Sequence, residues 1–235
     1  HLLEIPSSSL LATDLKGKRI GVVRYRQGDN PHVLAVYEKA LKQLEASGAT
    51  LVDISDFSQP DSFWADSYNV LLSEFHHSIN EYLSNSPASL PAKNLSELIE
   101  FNQATPRELA LFDQDIFEKS LASSAIDSDE YKRALRLIRD TAGENGIDAL
   151  LSKHNVDVLV APSNSPSFLI DGVYGDHSPV GFIGIGYLAA IAGYPHLTVP
   201  AGQVKDLPVG ISFIGGKWQD KKVLEIGSIF EAKHG

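Results

Sequence analysis

The chain of 235 residues contains no cysteine and no methionine, and both absences exclude something. Without cysteine, a disulfide framework, a zinc ribbon and a thiol nucleophile are all excluded. Because the chain opens at His1 and lacks methionine, we expect His1 to be preceded by further sequence in the natural protein. No apolar run approaches the roughly 18 residues that a membrane span needs, so the sequence predicts no membrane partner.

Clustered basic charge is also lacking. The 20 Lys and Arg residues are scattered among 30 Asp and Glu residues, which gives a formal net charge of −10. Nucleic-acid binding needs basic side chains grouped on one face, so nucleic acid is not expected as a partner. The hydrophobic fraction of 43% is that of an ordinary globular chain. We expect a soluble protein and favour the cytoplasm, although the absence of cysteine does not fix the compartment.

The first 60 residues alternate between strand and helix patterns. Arg19–Val23 and Thr50–Ile54 are short apolar runs, and between them apolar residues recur at helical spacing. Asn30 can cap this helix, and Gly48 ends it. Two strands joined by a helix form a βαβ unit with parallel strands. The sequence therefore predicts an α/β fold that begins with a βαβ unit over residues 1–60.

Residues 61–154 carry almost no strand pattern and are predicted to form a helical layer. A long amphipathic helix begins near Trp64 and is interrupted at Pro87. Three further helices are predicted after it: 94–102, 112–122 and one capped by Asp127 or Ser128.

Strand patterns return in residues 155–235, which we assign to the same single domain. Val156–Pro162 reads as a buried strand that ends where α/β sheets often bind ligands. The aperiodic loop 163–179 that follows is of a length that is usually functional. Four elements are predicted to complete the domain: a short helix at 186–193, an antiparallel hairpin of strands 196–204 and 209–215, and a closing helix at 220–233.

Three patterns resemble cofactor, metal or catalytic motifs but lack the context that the chemistry requires. Residues 184–189 fit a dinucleotide fingerprint, yet a loop precedes them where a strand is needed. Glu74, His77 and Glu81 share one helix face, but a di-iron site needs a second such set. The consecutive residues 176–178 cannot form a nucleophile, base and orienter geometry among themselves. The sequence thus predicts no cofactor and no metal.

The segment 161–166 differs because it joins the end of the predicted buried strand to the long loop. Substrates bind at this edge of open α/β sheets, although a proline-rich strand exit with capping serines explains the pattern equally well. His196 begins a strand, where histidine is more often packed or hydrogen-bonded than a general base.

Two stretches near the end of the chain have an unusual order of small residues, prolines and strand residues. They are Ile191-Ala-Gly-Tyr-Pro-His-Leu-Thr-Val-Pro200 and Leu207-Pro-Val-Gly-Ile-Ser-Phe-Ile-Gly215, and they resemble the C-terminal signature of the amidase signature family of serine hydrolases. Residues 15–23 and 156–162 resemble earlier elements in that family's order, whereas 50–150 carry no family-specific pattern.

The resemblance implies the C-terminal half of an amidase signature fold, with a mixed β-sheet covered by helices. The family cleaves or transfers amides with a Ser nucleophile, a second Ser in a cis peptide and a Lys base. Both serines stand in a Gly-Gly-Ser-Ser-Gly-Gly stretch of the N-terminal half, and no Gly-flanked Ser-Ser occurs here. The resemblance therefore implies no catalytic residue in this chain, which should be inactive alone, and a partner in the missing N-terminal half.

The resemblance also implies that this half supplies one wall of the substrate cleft. By position the wall should include these residues: Ser163, Asn164, Ser165, Phe182, Ile183, Ile185 and Tyr187. Family members that release ammonia from glutamine carry an acid shortly before the Ala-Gly-Tyr-Pro turn, and none lies between Ser178 and Ile191. An uncharged or peptide-terminal amide is therefore the expected substrate.

Two alternatives stay open from the sequence. The chain could belong to an amidotransferase A-type subunit, or it could be a non-catalytic binding or scaffolding domain derived from the same fold. In either case a sheet without its partner half leaves exposed strand edges, which favours pairing with that half or homo-oligomer formation.

Overall fold

The structure is a computed structural model and describes residues 13–110, 113–177 and 183–234. The strands of these ranges are β1 (Arg19–Val23), β2 (Thr50–Ile54), β3 (Val158–Pro162), β4 (His196–Val204) and β5 (Leu207–Ile214). The α-helices are α1 (Pro31–Ala46), α2 (Phe63–Asn85), α3 (Leu95–Ala104), α4 (Asp115–Leu121), α5 (Asp129–Ala142), α6 (Ala149–His154), α7 (Gly186–Ala192) and α8 (Asp220–His234). A π-helical turn, Gly143–Asp148, joins α5 to α6.

The chain divides into two compact units. Residues up to Ser58 together with those from Arg139 onward form the first, which we call the sheet unit. Gln59–Ile138 form the second, which we call the helical unit. The second boundary lies inside α5, whereas the helical pattern of the sequence continues to residue 154.

The sheet is mixed, in the strand order β2-β1-β3-β5-β4. β1 pairs in parallel with β2 and with β3, and β5 pairs antiparallel with β3 and with β4. The expected fold class, the parallel βαβ unit and the hairpin of the last two strands are thereby confirmed. Lys205 and Asp206 form the hairpin turn, both with positive φ, as a tight two-residue turn requires.

The helix of the βαβ unit begins as its sequence predicts. The Asn30 side-chain oxygen accepts hydrogen bonds from the backbone N–H groups of His32 (3.0 Å) and Val33 (3.3 Å). These bonds satisfy donors that have no partner within the helix, and Pro31 occupies the first helical position, where it loses no hydrogen bond. The predicted cap at Asn30 is therefore confirmed.

The core of the sheet unit lies between the sheet and two helices. Tyr37 of α1, Phe213 of β5 and Phe230 of α8 are nearly or fully buried in one apolar cluster. The rings of Phe213 and Phe230 lie 5.7 Å apart. The Tyr37 hydroxyl donates to the Val160 carbonyl (3.0 Å), so the polar tip of a buried ring is satisfied. α1 and α8 therefore cover one face of the sheet.

The helical unit consists of α2, α3, α4 and most of α5. The backbone N–H of Tyr131 donates to Ser128 Oγ (3.2 Å), which confirms one of the two predicted caps of α5. The helix predicted over 112–122 begins only at Asp115, and Phe112 lies outside the described residues. No helix in the described ranges is both long and apolar enough to span a membrane.

Candidate functional site

The candidate site lies in the sheet unit, at the carboxyl ends of the adjacent parallel strands β1 and β3. β3 ends at Pro162, and Ser163 follows it directly. The backbone N–H of Gly184 donates to the Arg26 carbonyl (2.7 Å), which holds the segment before α7 against the chain that leaves β1. Residues from three separate parts of the sequence thus meet at one sheet edge, where α/β folds commonly bind ligands.

A chain of four polar side chains crosses this edge. The Ser212 hydroxyl donates to Ser163 Oγ (2.9 Å), and the Ser163 hydroxyl donates to Thr198 Oγ1 (3.3 Å). His196 Nε2 lies 2.7 Å from Ser212 Oγ. With the hydroxyls oriented in this direction, the chain uses the neutral tautomer of His196 that carries the proton on Nε2. It ends at the hydroxyl of Thr198, an exposed residue, which can donate its proton to a ligand.

The strand register brings these side chains together. Thr198 of β4 pairs directly with Ser212 of β5, and Ser212 pairs with Ala161 of β3. His196 and Thr198 are two residues apart on one strand, so they point to the same face. The polar chain therefore follows from sheet pairing and from period-two alternation.

The imidazole of His196 has close neighbours on one side. Burial of part of the ring lowers the pKa of His196 below its usual value of 6.5, which favours the neutral form at neutral pH. A Cβ at Gly186 would lie 2.9 Å from the ring carbon Cε1, and a Cβ at Gly210 would lie 3.0 Å from Ser163 Oγ. The two glycines leave the space that the polar chain occupies.

An aromatic and cationic group lies beside the polar chain. The Arg26 guanidinium lies 5.8 Å from the centre of the Tyr187 ring, within the range of a cation–π interaction. Burial raises the pKa of Tyr187, and Arg26 opposes part of that rise. Tyr25 packs on Phe57 with ring centres 6.0 Å apart, and burial raises the pKa of Tyr25 strongly. The buried Tyr25 hydroxyl has no hydrogen-bond partner within the described part of the chain.

The structure brings some of the expected wall residues together. Ser163 belongs to the polar chain, and Tyr187 lies beneath Arg26. Ile183 packs against Gly28, where an added Cβ would lie 2.4 Å from Ile183 Cγ2. These three residues border the same sheet edge.

The other expected wall residues lie differently. Asn164 is exposed, and its side-chain oxygen accepts the backbone N–H of Ser165 (2.8 Å). Ile185 is fully buried, so its side chain belongs to the interior of this unit and does not face an open cleft. Phe182 lies outside the described residues. The binding role of this set stays a prediction.

Four contributors to the site are not expected from the sequence. For His196 the sequence predicts only a packed or hydrogen-bonded residue, and its bond to Ser212 has that character. Thr198, Ser212 and Arg26 stand in no motif. Their signal is weak, because polar residues on alternating strand positions become neighbours only when the pairing register is known.

Of Glu74, His77 and Glu81, one is hydrogen-bonded outside the set and the other two lie near each other. Glu74 accepts a hydrogen bond from the Tyr131 hydroxyl (2.7 Å), and His77 lies 4.0 Å from Glu81. Across the described ranges, no group of three or more His, Cys, Asp and Glu side chains is arranged to hold a metal ion.

Comparison with known proteins gives one consistent family. Residues 4–224 match the family model described as Amidase. A probable amidase of Arabidopsis thaliana is 27% identical over 94% of this chain and 39% of its own length. The A-type subunit of the glutamyl-tRNA(Gln) amidotransferase of Acinetobacter baylyi is 30% identical over 93% of this chain and 45% of its own length.

A solved structure agrees with these relatives. The native peptide amidase of Stenotrophomonas maltophilia superposes with a TM-score of 0.84 and 31% sequence identity. The superposition covers 98% of this chain and 47% of the peptide amidase. The chain thus spans about half the length, or somewhat less, of the relatives it matches.

Proposed function

Because this chain belongs to the amidase signature family, we propose that it is the C-terminal part of an enzyme that hydrolyses carbon–nitrogen amide bonds. The proposal rests on one observation, the polar chain that runs through Ser163 at the sheet edge. The protein that contains this polar chain matches the family over residues 4–224. In this proposal the chain supplies sheet strands and one cleft wall. The nucleophile and the base come from the remainder of the enzyme, so this chain alone is inactive.

The wall is proposed to bind the amide through hydroxyl groups. Thr198 can donate to a carbonyl oxygen, and Ser163 and Thr198 can each accept from an amide N–H. Neutral His196 steadies the row of hydroxyls through Ser212 without adding a charge. The Tyr25 hydroxyl, which is buried and lacks a partner within the described ranges, is a further donor for a polar group.

We further propose that the substrate is an uncharged or peptide-terminal amide. The segment 183–187 contains no acidic residue, and the cation Arg26 lies beside it. A buried ammonium group without an acidic partner is strongly disfavoured, so free glutamine should bind poorly through its α-amino group. The likeness to a peptide amidase at 31% identity supports the same substrate class.

A second candidate is an amidotransferase A-type subunit. The Acinetobacter baylyi relative, at 30% identity over 93% of this chain, is the observation that favours it. This function would require an acid elsewhere in the enzyme to hold the α-amino group of glutamine.

The ratio of kcat/KM between a C-terminally amidated peptide and free glutamine tests the proposal in the intact enzyme. We expect the ratio to exceed about tenfold, which corresponds to ~1.4 kcal/mol of discrimination. Ile183→Asp should lower this ratio, because the new carboxylate provides a partner for the ammonium group of glutamine. Ile170→Asp is the control, because the Ile170 side chain lies in a loop and is 85% exposed, and it should leave the ratio unchanged.

Three outcomes would alter this proposal. Equal or faster turnover of free glutamine by the unmodified enzyme would favour the amidotransferase function. The absence of any amide turnover by the intact protein would favour a non-catalytic binding or scaffolding role. Turnover by this chain alone that is abolished by one Ser→Ala change within it would contradict the shared-site arrangement.

A further inference from the structure

The helical unit contains a cavity of about 380 Å³ whose lining shares no residue with the candidate amide site. Its wall is formed by α2, by the end of α4 with the residues that follow, and by the first turns of α5. All of its lining residues lie between Asp66 and Ala134, so no residue of the polar chain takes part. The volume is within the range of small-molecule sites.

One buried carboxylate lines this cavity and has an unusual hydrogen-bond arrangement. Asp66 is only 4% exposed. Its Oδ1 accepts a hydrogen bond from Arg133 Nη2 (2.9 Å), while its buried Oδ2 has no donor within the described part of the chain. An unpartnered buried carboxylate oxygen is costly, so a donor from a bound molecule would stabilise it.

The cavity wall carries two carboxylates, Asp66 and Glu130, and two cations, Lys119 and Arg133. Both cationic side chains in its wall are already engaged, Lys119 with Asp115 and Arg133 with Asp66. Glu130 also lines the cavity, accepts a hydrogen bond from Ser124 (2.8 Å), and forms no ion pair with a described residue. The wall therefore offers two carboxylates as hydrogen-bond acceptors, and both of its cations are already paired.

The remainder of the wall includes apolar groups. Val70, Leu72 and Ala134 line the cavity and are each at most 6% exposed. An apolar surface next to a carboxylate fits a ligand that has a short hydrocarbon part and a charged nitrogen.

We propose that this cavity binds a small organic cation, a protonated primary amine on a short alkyl chain. The ammonium group donates to Asp66 Oδ2, and the alkyl chain packs against the apolar part of the wall. Glu130 adds a second negative charge within the same cavity. This cavity and the candidate amide site share no residue.

Binding of n-butylamine to the intact protein at pH 7 tests the proposal, with 1-butanol as the neutral molecule of the same size. Titration followed by protein NMR or calorimetry should show saturable binding of the amine at least tenfold tighter than that of the alcohol. Equal affinity for the two molecules, or no saturable binding of the amine, would overturn the proposal.

Two variants locate the binding. Asp66→Asn should weaken amine binding at least tenfold, whereas Glu100→Gln, the same loss of charge at an exposed position of α3, should leave it unchanged. Ala122→Leu places a larger side chain in the cavity from an exposed position, so it should also abolish binding without disturbing the core. If Asp66→Asn fails to fold, Ala122→Leu decides: amine binding that persists in the folded variant would show that the cavity is not the site.

Discussion

The interiors of the two units differ in chemistry. The sheet unit buries one continuous cluster of apolar side chains drawn from strands and from the two helices that cover them. Among the described residues, the helical unit has a smaller apolar interior and buries four polar side chains, Asp66, Ser73, Gln114 and Ser120, whereas the larger sheet unit buries three, Ser47, Thr141 and Ser212. Asp66 is the one charged side chain among the buried residues of the described ranges. The sheet unit therefore depends mainly on apolar burial, and the helical unit depends more on particular polar contacts.

The candidate amide site lies in the sheet unit, next to its apolar interior. Its polar chain lies at the edge of a sheet whose strand β3 is buried at all five positions. Rigid strands fix the separations between Ser163, Thr198 and Ser212, because each belongs to or directly follows a paired strand. A polar site positioned on rigid elements is more precise than one on loops.

The largest expected effect comes from removing an aromatic ring from the sheet unit. Phe213 is fully buried against Phe230, so Phe213→Ala should lower the free energy of unfolding by about 3–5 kcal/mol. Tyr174→Ala, at a loop residue that is 90% exposed, should change it by only ~0.5 kcal/mol or less. Urea denaturation of both variants measures the difference. Similar losses in the two would show that the Phe213 ring is not central to the sheet unit core.

A smaller effect is expected from the polar interior of the helical unit. Arg133→Gln removes the ion pair of buried Asp66 and should cost about 1–3 kcal/mol at pH 7, because a buried carboxylate loses its donor. Arg136→Gln, the same change at an exposed position of α5, should cost ~0.5 kcal/mol or less. Denaturation of the two variants gives the comparison. Equal stability would mean that the Asp66 contact contributes little.

The pH dependence of unfolding should show a still smaller contribution from His196. Partial burial lowers the pKa of His196 in the folded protein, so the unfolded chain binds the proton more readily. The contribution of neutral His196 to stability is therefore fully present above 6.5, the pKa of histidine in the unfolded chain. It is lost as the pH falls through the lower pKa of His196 in the folded protein. His196→Gln should reduce the loss of stability as the pH falls below about 6.5. An unchanged pH dependence in His196→Gln would mean that desolvation of this ring does not affect folding.

The sequence predicts the elements of the sheet unit well, for physical reasons. The short apolar strand runs, the Asn30 cap and the closely spaced strands of the last hairpin are local signals, and each has its expected counterpart in the structure. The start of β3 at Val158, two residues after the predicted Val156, depends on pairing with β1. Strand ends are set by the neighbouring strand and are not visible in the local pattern.

Tertiary features are predicted less well. The π-helical turn Gly143–Asp148 lies inside a continuous helical pattern, and its environment includes the Tyr194 hydroxyl, which donates to Asp148 (2.6 Å). Burial, with the Asp148 contact in support, raises the pKa of Tyr194 to about 12. A contact between residues 46 positions apart leaves no periodic signal in the sequence. For the same reason, the burial of Ile185 and the joining of His196, Ser212 and Ser163 are visible only in the folded structure.

The kinetic effect of Ser163→Ala in the intact enzyme tests the central claim, that this sheet edge binds the amide substrate. We expect a fall in kcat/KM for a peptide amide of about two- to twelvefold, the equivalent of one net hydrogen bond of ~0.5–1.5 kcal/mol. Ser152→Ala, the same substitution at an exposed position of α6, should leave kcat/KM unchanged. If kcat/KM is the same in folded Ser163→Ala, Ser152→Ala and the unmodified enzyme, the substrate binds elsewhere and the central claim is wrong.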